Sequence, residues 1–101
     1  MNEETVESMI KLKKLTGKRL TPESIDQTIK SAAYYVFPNT TITVCCLTLT
    51  NGFTVIGESA CASIENFDQE LGERIAFANA RDKIWQLEGY LLRQTLFEAG
   101  K

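Results

Sequence analysis

Histidine is absent from all 101 residues, and with it go the commonest metal ligand and the imidazole of serine triads and Cys-His nucleophiles. A basic excess is absent too: 11 Lys and Arg against 13 Asp and Glu leave a net charge of −2. Gripping polymeric nucleic acid by its phosphates, which needs many cations, is therefore excluded as the main task. No apolar run approaches the roughly 20 residues of a membrane span, so no membrane partner is expected. The segment Met1 to Glu7 opens with Glu3, Glu4 and Glu7 and carries no apolar run, unlike a signal or transit peptide. The expected location is the cytoplasm. There is no GxGxxG, no GxxxxGK[ST], no paired metal-ligand spacing and no long internal repeat, so no cofactor and no metal are expected.

Cysteine is scarce and badly spaced for bonding. Cys45, Cys46 and Cys61 make an odd count without a CxxC, which implies neither a disulfide framework nor a zinc knuckle. Reduced thiols acting as small apolar residues are the reading for a reducing cytosol. The length suits one domain, residues 1–101, and excludes a two-domain enzyme. Within it fall an N-terminal arm or helix (1–20), a helix and β-hairpin region (21–63) and C-terminal helices (64–101).

What is present is distributed unevenly. From Ser31 to Ser63 the one charged residue is Glu58; charge lies on either side, so an uncharged sheet region sits between polar helical ones. Val6, Met9, Ile10 and Leu12 recur at helical spacing, with Asn2 or Thr5 as cap and Gly17 near the stop. Thr21-Pro22-Glu23-Ser24 combines a hydroxyl cap, a proline at the first helical position and an acid at the positive end of the helix dipole. That helix is expected to carry Ile25, Ile29 and Ala32 or Ala33 on its inner face, until Val36-Phe37-Pro38-Asn39 breaks it.

Threonine, valine, isoleucine and leucine dominate 40–50 and suit a pleated surface. Asn51-Gly52 between that run and Phe53-Thr54-Val55-Ile56 predicts a hairpin with a two-residue type I′ turn. Gly57 marks a bulge or a close backbone approach. After Cys61 the pattern turns helical, capped by Asn66 or Ser63. One stripe runs through Leu71, Ile75, Ala78, Trp85, Leu92 and Leu96, and a second through Phe77, Ile84, Leu87 and Leu91. Gly89 is placed to divide the run into two helices. The fold class is α+β: N-terminal helices, a central antiparallel β-sheet with an Asn-Gly hairpin, and a C-terminal helical hairpin or long helix. Two stripes outrun the sheet one chain offers, which predicts a homodimer or homohexamer.

Catalytic groups are few. Glu58, beside Ser59 and Cys61, is the one acid of the uncharged region; a general base needs companions, and hydrogen bonding to nearby amides at a strand end is the simpler reading. No enzyme is expected. Anion binding is better supplied, since Arg74, Arg81, Lys83 and Arg93 are interleaved with Phe77, Trp85 and Tyr90, a composition that holds phosphates and stacks bases. Solvated helix faces with surface ion pairs account for the same pattern.

The segments Val36-Phe37-Pro38-Asn39-Thr40-Thr41, 51–61, Asn66-Phe67-Asp68, Asn79-Ala80 and 83–93 resemble a small phage-protein family named after one reading frame each of phages N-four and Sf-six. The resemblance covers about residues 34 to 98. It implies an antiparallel sheet followed by helices, oligomers, and the activity of a Thoeris anti-defence sponge: binding and sequestering cyclic ADP-ribose isomers made by TIR enzymes, with cyclic oligonucleotides also taken by some members, and no cleavage. The partner implied is a cyclic nucleotide in the cytoplasm of the bacterial host. Such a ligand carries a pyrophosphate, an adenine and two riboses. On this reading Arg93, Lys83 and Arg81 meet the pyrophosphate, while Asn79 and Tyr90 address the adenine or ribose near a subunit boundary. The rival from another class is an adaptor that binds a host protein through the C-terminal helices.

Overall fold

A computed structural model describes residues 2–101. Two layers make up its 53 × 31 × 17 Å extent: a three-stranded sheet and a long helix laid on one face of it. Helix α1 spans Glu3–Leu12 and α2 spans Pro22–Gln27; the strands are β1 (Ile29–Val36), β2 (Ile42–Leu49) and β3 (Thr54–Ala60). A 3₁₀ turn at Ile64–Asn66 then leads into α3, Gln69–Glu98. The sheet is an antiparallel meander in the order β1-β2-β3.

Local chemistry explains each start. Asn2 caps α1, its Oδ1 accepting from Thr5 N at 2.7 Å; Met1, the first residue of the expected N-terminal arm or helix, lies outside the described residues. Thr21 and Ser24 form a reciprocal capping box with Pro22 in the first turn of α2. Asp68, rather than Asn66 or Ser63, caps α3 by accepting from Leu71 N at 2.8 Å.

Further expectations are corrected. The helix from Pro22 ends at Gln27 instead of carrying Ile29 and Ala32 or Ala33, because 29–36 pairs with β2, from Ile29↔Leu49 to Val36↔Thr43, with a bulge at Lys30. Isoleucine, valine and two tyrosines favour that pleated pairing once a neighbouring strand is available. Pro38-Asn39 therefore joins two strands, with Asn39 at φ 62°, and does not end a helix. The Asn51-Gly52 hairpin forms, but its turn has three residues: Gly52 N donates to Leu49 O, Gly52 alone of the loop has positive φ, and Leu49 N donates to Phe53 O. That is a type I turn followed by a glycine bulge, a geometry that asks for only one left-handed residue. Gly89 lies within one continuous α3.

The core comprises Ile25, Cys45, Leu47, Leu49, Val55, Ala76, Ala80 and Ile84, with Leu20, Ile29, Phe77 and Trp85 packed around it. The inner stripe of α3 is thus Ala76, Ala80 and Ile84, not the longer stripes of large side chains; Leu71, Ile75, Leu87 and Leu91 are exposed. Small residues win that face because β3 comes very near. A Cβ on Gly57 would overlap the backbone of Ala76 and Ala80, so Gly57 marks a close approach, while the β2–β3 register runs through it without a bulge. At Gly72 the helix likewise passes over Thr43 and Ser59.

Candidate functional site

Beside the first turns of α3, the end of β3 and the segment that follows it leave a cleft of about 390 Å³. Phe67, Leu71 and Ile75 form apolar ribs, and Thr41, Ser59, Asn66, Asp68 and Asn79 supply hydroxyl, amide and carboxylate groups. Several of these are already oriented. Ser59 Oγ donates to Gly72 O at 2.7 Å, Thr41 Oγ1 donates to Cys61 O, and Asn79 Nδ2 donates to Glu58 O at 2.8 Å. Such bonds fix rotamers at little cost and leave Asn79 Oδ1 and the second oxygen of Asp68 as acceptors. Glu58 is exposed, lies within β3 and reaches the cleft wall through its backbone carbonyl; its carboxylate takes up none of the amide hydrogen bonds expected of a strand-end acid among the described residues.

The five residues singled out in the sequence do not converge. Asn79 lines the cleft. Lys83, one turn further along the same side, donates from Nζ to Ile56 O. Tyr90, 75% exposed, belongs to a separate hollow with Leu49, Phe53, Leu87 and Leu91. Arg93 donates to the Lys101 carbonyl; it lies about 21 Å along the helix axis from Asn79 at 1.5 Å per residue, so within one chain the two do not meet a single nucleotide-sized ligand.

Arg81 points to the opposite side and is occupied there. Its Nη1 meets Glu3 Oε2 at 2.6 Å, its Nε meets Asp26 Oδ1 at 2.7 Å, and its Nη2 donates to Pro22 O at 3.2 Å. Trp85 Nε1 donates to the same Glu3 oxygen at 2.9 Å. The hydrogen bond from Arg81, helped by Trp85, holds the Glu3 carboxyl below the usual carboxylate range, and Glu3 in turn raises Arg81. This guanidinium, which the resemblance aimed at a pyrophosphate, instead clamps α1 and α2 to α3.

The cleft was missed in the sequence because its walls come from distant segments. A signal did exist: 51–61, Asn66-Phe67-Asp68 and Asn79, three stretches of matching wording, all reach it. Burial pushes the Cys45 thiol up, keeping it protonated and inert. Among the described residues no group of three His, Cys, Asp or Glu stands ready to hold a metal ion, and no helix is long and apolar enough to cross a membrane.

The family model of the phage protein (N4 Gp49/phage Sf6 gene 66) family matches residues 20–96. That span takes in α2, the whole sheet, the cleft and nearly all of α3, and omits α1. No curated protein and no solved structure matches the chain.

Proposed function

Because this chain belongs to that phage protein family, we propose that it is an anti-defence sponge that captures a cyclic ADP-ribose isomer in the cleft beside α3 and holds it unaltered. The observation that supports the reading is the lining of the cleft, built from the segments that carry the sponge resemblance. A nucleoside asks for a flat apolar contact and for acceptors that take ribose hydroxyls and the exocyclic amine. Phe67 offers the first, and Asn66, Asp68 and Asn79 offer the second. Lys83, one turn past Asn79 on the same side of the helix, is the cation we assign to the diphosphate, taking a charge-assisted bond in exchange for its bond to Ile56 O. Sequestration needs no general base or nucleophile, only burial of the ligand.

Calorimetry with a TIR-derived cyclic ADP-ribose isomer tests the reading. Stacking on an aromatic ring is worth about 1–3 kcal/mol per base, so Phe67→Ala is expected to weaken binding roughly 5- to 150-fold, and Arg93→Ala to leave it within about twofold. Intact ligand is recovered on heating the complex. Altered ligand would make the protein an enzyme, and no uptake would leave the adaptor reading through α3. Loss in Arg93→Ala alone would move the site to the far end of the helix.

A further inference from the structure

The two edges of the sheet are treated differently. Hydrogen-bonded pairs alternate along an antiparallel ladder. Leu49 N donates to Phe53 O and Phe37 N to Ile42 O. Counting from these along the registers, the odd residues of β2 bond β3 and the even ones bond β1. The outward carbonyls of β3 therefore include Ile56 and Glu58, which are the two that Lys83 and Asn79 of α3 cover. On β1 the outward N–H and C=O groups belong to Ala32, Tyr34 and Val36. No hydrogen bond reaches them among the described residues, and Ser31 to Tyr35 are exposed. Lys30, in the bulge, is the one charge on this strand, and there is no proline. A long, neutral, unblocked edge is a template for another strand.

We propose that β1 pairs antiparallel with β1 of a second copy, joining two sheets into one of six strands around a two-fold axis at Tyr34. The outward groups are centred on Tyr34, so this register uses all of them. Ala32 then faces Val36, Tyr34 faces its equivalent, and Ala33 faces Tyr35, setting small residues against large ones and no charge against its like. The extent of exposed surface is in keeping with such a partner. A folded monomer of 11.3 kDa exposes about 5,700 Å², whereas this chain exposes 7564 Å²; the excess is more than twice the roughly 800 Å² per partner of a standard interface. Its radius of gyration, 16.7 Å, exceeds the about 13 Å of a compact chain of this length. On the helix side of β1, Tyr34 and Phe77 border an open hollow of about 480 Å³, space that a second copy beside β1 would enclose. On β3 the outward carbonyls of Ile56 and Glu58 are already taken by α3 side chains, which disfavours pairing at that edge and with it head-to-tail addition of sheets without limit.

Sedimentation of the native chain at micromolar concentration should give a dimer of about twice 11.3 kDa. Ala32→Pro removes an outward N–H that β2 does not use. It should raise the dimer dissociation constant roughly 10- to 100-fold through the two symmetric bonds lost, with circular dichroism unchanged. Should that variant misfold, Tyr34→Cys decides the matter independently. Oxidation should link two chains through residue 34, located by peptide mapping, because residues directly opposite in a hydrogen-bonded pair lie about 5.5 Å apart, within disulfide reach. A native monomer, an undiminished dimer in a folded Ala32→Pro, or linkage through Cys46 on the outer sheet face in place of residue 34 would each overturn the pairing.

Discussion

Thr43 is fully buried beneath α3, and its Oγ1 has no hydrogen-bond partner. A hydroxyl taken out of water without a partner costs more than the methyl that would replace it. The neighbouring space is already set by Gly72, whose missing side chain lets the helix rest against this hydroxyl. Thr43→Val keeps the shape and removes the orphan. It is expected to stabilise the chain by about 1 kcal/mol, which differential scanning would read as a rise in Tm of about 4–8 °C; an unchanged or lower midpoint would show that the hydroxyl is satisfied in solution. Gly57 presents the opposite case. There the backbone of α3 occupies the place a side chain would take, so glycine is demanded by packing and not by a turn.

At the scale of elements, α1 is held by charge and not by burial. None of its residues is buried, and its fastenings are Glu3 to Arg81 and Trp85, and Glu7 to Arg19 at 2.7 Å. The folded-state carboxyl of Glu3 is depressed, chiefly by the hydrogen bond from Arg81. Its contribution is therefore complete above the ordinary carboxylate range and is lost as the pH falls below that range. Trp85 reports the change directly, since its indole N–H donates to Glu3. Acidification is expected to shift Trp85 emission to longer wavelength before the circular dichroism of the sheet and α3 changes. In Glu3→Gln the same shift should be present at neutral pH and should no longer titrate. An emission that followed global unfolding alone would show α1 to be an integral part of the fold.

For the molecule as a whole, the family core begins where α1 has ended. The match covers 20–96, and Leu20 is, among the described residues, the first hydrophobic one packed against the core. A chain lacking residues 1–19 should therefore fold, with a midpoint within about 4–8 °C of the intact protein, corresponding to roughly 1 kcal/mol. A failure to fold would mean that the Arg81 clamp supports α2 and through it Ile25, a fully buried core residue. The same layering separates the two surfaces proposed above. The cleft lies on the β3 side of α3 and the free edge is β1, so the proposed ligand capture and the proposed pairing can be tested independently.

Several local signals determined their outcome by themselves, although the loop at Asn51-Gly52 took three residues and not two, and Asp68 and not Asn66 or Ser63 caps α3. Thr21-Pro22-Glu23-Ser24 contains its own capping box, the chain turns at Asn51-Gly52, and the uncharged middle became the sheet of an α+β fold. These depend on neighbours within a few residues, where steric and hydrogen-bonding preferences act without help. Tertiary structure decided the rest. Residues 29–36 have helix-compatible alanines and strand-compatible tyrosines, and only the presence of β2 alongside tipped them to a strand. The inner face of α3 went to Ala76, Ala80 and Ile84 because a glycine 19 residues before Ala76, Gly57, allowed close approach. Arg81 turned from a prospective ligand group to a clamp because Glu3 and Asp26, distant in the chain, arrived beside it. The cleft belongs to the same class. Its polar groups are scattered from Thr41 to Asn79, and nothing in their spacing along the chain announces that the start of α3 and the end of β3 will gather them.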